Sequence, residues 1–234
     1  LAQAEVGVPL HLGIMPAVIT SVLREFPADT LRPGDMFITN LPYPDGPGHL
    51  PDLSMVSGIF EGDRLVALAA STAHHVDMGG FAPGSMPFGV TEIYQEGLQI
   101  PPTRMFAGGQ IDEVIFRIID QNVRTKHELR GDLMAQFACA QIGQKRVSEL
   151  LMRQDHEHMA EMMQAILDYA ERRMRAGIAE LEDGVYSFED FLDDDGISDE
   201  PIRIFASITI AGDELSVDFT GTSDQVSGPL NARL

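Results

Sequence analysis

Apolar positions in the first part of the chain come in short runs broken by glycine and proline. Met36–Asn40, Leu53–Phe60 and Leu65–Thr72 read as strands, and Glu61-Gly62-Asp63 between the last two is a hairpin turn. Ahead of them, Val18, Val22 and Leu23 have helical spacing within Pro16–Phe26. The period then lengthens. Ile111, Val114, Ile115, Ile118 and Ile119 form one helical face. Thr125 with Glu128 fits a capping box opening a helix through Leu129, Leu133, Phe137, Ile142, Val147 and Leu151. A third helix starts near Asp155, carries Met159, Met162, Met163, Ile166, Leu167, Met174 and Ile178, and is closed by Asp183-Gly184. Its methionine-rich stripe reads as core packing. From 185 onward the period returns to two, at Tyr186–Leu192, Ile202–Ile210 and Leu215–Phe219, with a hairpin turn at Ala211-Gly212-Asp213-Glu214.

This pattern predicts a mixed α+β fold, with antiparallel hairpins around a central helical segment. Residues 1–110 form a β-rich region that holds the candidate chemistry, 111–184 a helical segment and 185–234 an antiparallel β segment, together one domain. The acidic stretch at 189–200 is the one candidate subdomain boundary. The missing initiator Met and the turn-like end at Gly228–Leu234 lead us to expect a fragment of a longer chain, truncated at both ends.

Composition narrows the function classes. Sixteen Lys and Arg against 36 Asp and Glu give a formal charge of −20, a field that repels phosphate backbones and anionic lipid. Nucleic acid and membrane partners are therefore not expected. No run reaches the roughly eighteen apolar residues of a membrane span, and Leu1-Ala2-Gln3-Ala4-Glu5 lacks the basic and apolar segments of a signal peptide. The single cysteine, Cys139, excludes an internal disulfide and favours a cytoplasmic setting; its helical apolar surroundings predict a buried side chain. Asp193-Asp194-Asp195-Gly196 lacks the ligand spacing of a calcium loop and reads as a solvated turn. Asp155-His156-Glu157-His158 lies on a helix, where residues two apart do not share a face, and reads as solvent-exposed.

The chemistry concentrates in Gly46-Pro47-Gly48-His49-Leu50-Pro51-Asp52, a constrained loop between two strands. His49 and Asp52 offer an imidazole nitrogen and a carboxylate oxygen, a set that suits Mn, Fe or Zn. A further strand ends at His74-His75-Val76-Asp77. Adjacent strand residues point to opposite faces, so one of the two histidines joins the site. A metal-free His/Asp acid–base pair is the competing reading. The Gly79–Pro87 stretch and Thr91–Gly97 form a long ordered loop in which Glu92 and Glu96 are candidate bases or outer carboxylates, against the plainer reading of solvated surface acids. No Gly-x-x-x-x-Gly-Lys loop or dinucleotide fingerprint is present, so ATP chemistry would need another polypeptide or another part of the chain.

The order of these segments resembles the hydantoinase B family, which includes the B components of N-methylhydantoinases, the C-terminal half of 5-oxoprolinases, and the alpha subunits of acetone and acetophenone carboxylases. The matching segments include Val8-Pro9-Leu10-His11-Leu12-Gly13, Gly34–Asn40, Gly48–Asp52, His74–Gly80, Pro83–Pro87, Thr91–Gly97, Asn122-Val123-Arg124, Arg130–Leu133, Asp218–Thr222 and Gly228–Asn231. The resemblance implies a divalent-metal centre, manganese in the carboxylase branch, with His49, Asp52 and His74 as ligands by motif; Mn or Zn is expected. It also implies a hydantoinase A-type partner that binds ATP, hence a hetero-oligomer acting on a small molecule. The expected activity is ATP-dependent cyclic-amide hydrolysis, with His75, Asp77 and Glu92 as proton-transfer candidates. Ketone carboxylation and a non-catalytic assembly subunit with a relict site are the alternatives. One departure stands out: Asn40-Leu41-Pro42-Tyr43 replaces the family's Asn-Asp-Pro-Tyr.

Overall fold

The computed structural model describes residues 9–153 and 156–231, with the side chains of Pro9, Leu10 and His156 left aside. Helix α1 (Pro9–Glu25) precedes strands β1 (Met36–Thr39), β2 (Asp52–Glu61), β3 (Arg64–His74), β4 (Thr103–Ala107) and β5 (Gln110–Ile111). Helices α2 (Glu113–Asn122), α3 (Lys126–Arg153) and α4 (His156–Ile178) follow, then strands β6 (Gly184–Leu192), β7 (Ile202–Ala211) and β8 (Glu214–Asp218). The first five strands form one sheet in the order β3-β2-β1-β4-β5 and the last three another, β6-β7-β8; every strand pairing is antiparallel. The fold is the mixed α/β type with antiparallel sheets that the period changes predict.

Two compact units result. One is built on Gln3–Pro87 and Glu92–Arg153, the other on Phe88–Thr91 and Gln154–Ala232. The division falls between α3 and α4, so the helical segment of residues 111–184 contributes to both.

In the first unit the large sheet is packed on both faces, so β2 is buried along nearly its whole length. Met36, Ile38, Leu53, Met55 and Met105 face Phe116 and Ile119 of α2 and Leu129, Leu133 and Ala140 of α3. Residues of the opposite parity, Phe37 and Val56, face Met15, Val18 and Val22 of α1. Asp112 caps α2, its carboxylate accepting from the amides of Val114 and Ile115. Helix α1 runs through Pro16, where the sequence pattern would begin it. Burial of Met15, Val18 and Val22 on the sheet offsets the lost hydrogen bond at that proline.

Hairpin β4–β5 is not among the predicted strands. Its signal lies in the Gly108-Gly109 turn, whose two positive φ angles are those of a two-residue hairpin. Gly34 sits against that turn so closely that a Cβ would strike the Gly109 amide.

The second unit corrects several expectations. Helix α4 ends at Ile178 rather than at Asp183-Gly184, because Gly184 opens β6 and Asp183 accepts the Gly212 amide. The methionine stripe is not a core: Met159 is buried, whereas Met162, Met163, Ile166, Leu167 and Met174 are exposed. Asp195 does not sit in a solvated turn. It is buried, and accepts from the amides of Ser198, Ile197 and Gly228, which together hold its carboxyl below the ordinary carboxylate range. In the first unit, Cys139 is exposed, off the 129-133-136-140 row by which α3 meets the sheet. Of the 155–158 cluster, Asp155 and the His156 side chain lie outside the described residues. No helix among the described residues is long and apolar enough to cross a membrane.

Candidate metal centre

The site forms where β2 begins and β3 ends. Asp52 and His74 are direct partners in the β2–β3 ladder, so their side chains leave the sheet on the same face, the one covered by α1. His49 comes from the loop just before β2. That loop is tied down at both ends: the Asp52 amide donates to the His49 carbonyl, and the amides of Leu53 and His75 both donate to the Pro51 carbonyl. Fully buried Asn40 anchors it from the end of β1, its side-chain amide donating to the carbonyls of Leu50 and Leu98 while its oxygen accepts the Ile100 amide. Gly46 lies against the Leu41 carbonyl with no room for a Cβ. Loop closure at position 41 thus uses backbone, which leucine supplies as well as the family's aspartate.

His49, Asp52 and His74 bring one ligand atom each to within 4.8 Å of one another. His49 Nε2 is 3.1 Å from Asp52 Oδ2, and the rings of His49 and His74 lie 4.9 Å apart. Asp52 is buried, and its second oxygen, Oδ1, has no hydrogen-bond partner among the described residues. A buried carboxylate oxygen without a donor costs free energy unless a cation meets it. Two imidazoles and one carboxylate are a donor set suited to a borderline divalent ion. The residues therefore fit a metal.

A fourth group, missed by spacing, also reaches the site. His11 of α1 places Nε2 3.2 Å from Asp52 Oδ2. Only the packing of α1 on the sheet reveals this.

The electrostatics follow the contacts. Burial pushes the Asp52 carboxyl up, but hydrogen bonds and charge from His49 and then His11 outweigh it and leave the group below its ordinary value. The hydrogen bond to Asp52 raises His49 above the usual histidine value, against its own burial, with help from the charges of Asp52 and Glu96. Glu96 is half-buried; desolvation lifts its carboxyl above the normal range, and the charge of His49 opposes this.

The remaining sequence candidates sit elsewhere. His75 points to the opposite face of the sheet. It is fully buried, with Nε2 3.0 Å from Gln136 Oε1 of α3, while the Gln136 amide donates to the Leu53 carbonyl. Burial lowers its pKa, partly countered by Gln136. Asp77, also buried, accepts from the amides of Gly79, Gly84 and Arg124 and from the Arg124 guanidinium at 2.9 Å. Desolvation works against its ionisation, and these donors more than compensate, so its pKa is depressed. Arg124 further donates to the carbonyls of Gly79, Gly80 and Ala82. Gly80 has positive φ, and a Cβ there would collide with the backbone of Gln95 and Glu96. Exposed Glu92 closes a capping box on the short 3-10 turn Ile93–Gln95.

Over residues 1–234 the sequence matches the profile described as Hydantoinase B/oxoprolinase. The chain belongs to this family. The B component of a putative D-/L-hydantoinase from Pseudomonas sp. strain NS671 is 33% identical over 242 residues, spanning 100% of this chain and 41% of the relative. The ATP-dependent caprolactamase of Pseudomonas jessenii, a solved structure, superimposes with a TM-score of 0.80 at 32% identity, covering 89% of this chain and 36% of that one. The acetophenone carboxylase delta subunit of Aromatoleum aromaticum is 26% identical over 234 residues, 99% of this chain and 34% of the relative. This hydantoinase B family chain therefore spans well under half of each of these proteins, and its relatives include both amide hydrolases and carboxylases.

Proposed function

We propose that this chain carries the divalent-metal site of an ATP-dependent cyclic-amide hydrolase of the hydantoinase or 5-oxoprolinase type, in a hetero-oligomer whose hydantoinase A-type partner binds ATP. The observation that best supports this is the His49–Asp52–His74 cluster with its buried, unpartnered Asp52 oxygen. It is joined by similarity to a protein named as an ATP-dependent caprolactamase. The three residues would hold Mn or Zn, which supplies Lewis acidity toward a carbonyl or a bound water.

His75, Asp77 and Glu92 are the proton-transfer candidates of the sequence. Their hydrogen bonds suit holding roles instead: His75 joins β3 to α3, Asp77 clamps the Gly79–Gly84 turn to Arg124, and Glu92 caps its own turn. Glu96, half-buried and within electrostatic reach of His49, joins them as a proton-transfer candidate, since desolvation favours its neutral form.

The test uses the full-length protein with its ATP-binding partner and hydantoin, 5-oxoproline or caprolactam. ADP release is expected in step with ring opening, and His49→Ala or Asp52→Asn should abolish both bound metal and ring opening. ATP turnover indifferent to every cyclic amide would sink the proposal. The acetophenone carboxylase relative supports a second reading, ketone carboxylation, which bicarbonate-dependent ATP turnover would select. Absence of bound metal in wild-type protein would select a third, an assembly subunit with a relict site.

A further inference from the structure

Neither the metal triad nor the proton-transfer candidates include His11. It comes from α1, an element that supplies none of the three candidate ligands, and its ring is part-buried against the carboxylate of Asp52. An ionised carboxylate accepts and cannot donate, so the imidazole is the donor in this pair. Two imidazoles share one oxygen: His11 Nε2 at 3.2 Å and His49 Nε2 at 3.1 Å both meet Oδ2. The other oxygen, Oδ1, is buried and meets no donor among the described residues. The carboxylate is thus divided into a held oxygen and a free one.

We propose that His11 is a positioning residue of the metal site, whose Nε2–H holds Asp52 through Oδ2 and leaves Oδ1 as the oxygen available to a divalent cation. This rests on the metal-site reading above. A nitrogen that coordinates a metal cannot also donate a hydrogen bond, so coordination through His49 Nε2 would remove that donor from Asp52. His11 then remains as the donor that keeps the carboxylate oriented. Groups that orient a ligand in this manner typically tune affinity about 10- to 100-fold when removed.

The experiment measures Mn and Zn affinity by chelator competition in the full-length protein with its partner, for wild type, His11→Ala, His11→Gln and His49→Ala. Thermal midpoints of the metal-stripped forms are taken alongside. His11→Ala is expected to weaken metal binding about 10- to 100-fold with the metal-free midpoint little changed. His11→Gln, whose side-chain amide can donate from a similar place, should recover most of the affinity. Wild-type affinity in His11→Ala overturns the proposal. Equal losses in His11→Ala and His11→Gln overturn the donor role, as does a loss of affinity matched by a fall in the metal-free midpoint. Should wild type bind neither metal and His49→Ala change nothing, the metal-site reading itself has failed, an outcome distinct from the others.

Discussion

Gln136 satisfies two partners at once. Its oxygen meets His75 Nε2 and its amide meets the Leu53 carbonyl, all of it buried. Gln136→Leu keeps the bulk but leaves both groups without this partner, and should cost about 2 kcal/mol, read as a lower urea midpoint at unchanged slope. Asp77 makes a pH-dependent counterpart. Its carboxyl titrates lower in the folded protein than its ordinary value of 3.8, so the unfolded chain takes up the proton first. The stabilisation is complete above that value and disappears as pH falls through the folded pKa. Asp77→Asn should therefore lie furthest below wild type near neutral pH, with the gap closing from about pH 5 downward in urea titrations. At this scale the sequence is only partly legible. Motif spacing brings out His49, Asp52 and the His74–His75 pair, because the first two are close in sequence and the pair ends a readable strand; the choice of His74 comes from the family resemblance. His11, Gln136 and Arg124 reach their partners from other elements, and no local pattern announces such contacts.

Among the elements, α3 shows best how a period becomes a contact. Leu129, Leu133, Gln136 and Ala140 recur at four, three and four residues, and this row meets the face of the sheet that carries Leu53 and Met55. Leu133→Ala should destabilise by about 3 kcal/mol, measurable by equilibrium unfolding, whereas Ile142→Ala on the exposed side should have little effect. Strands β1 to β3 and β6 to β8 are readable because each alternates or runs apolar between turn residues. Hairpin β4–β5 escapes such a reading since its strands are short and the following helix shares its isoleucines. Likewise the methionines of α4 read as core because periodicity reports an apolar face without saying what lies against it.

For the molecule as a whole, both large apolar clusters belong to the unit built on Gln3–Pro87 and Glu92–Arg153, and so do all the candidate ligands. A polypeptide ending at Arg153 is expected to unfold cooperatively in urea and to bind one divalent ion. A gradual transition would show that this unit depends on the rest. The net charge of −20 is legible at once but says little about the site, where histidines gather around a single buried aspartate.

The neighbouring histidines of β3 carry a last consequence. His74 and His75 are chemically the same, and sliding β3 by one residue along β2 would exchange them, offering His75 to the cluster and burying His74. In the alignment observed, Asp52 pairs with His74 while His75 meets Gln136. The bond thereby ties α3, on the far face of the sheet, to the strand alignment that leaves His74 beside His49 and Asp52.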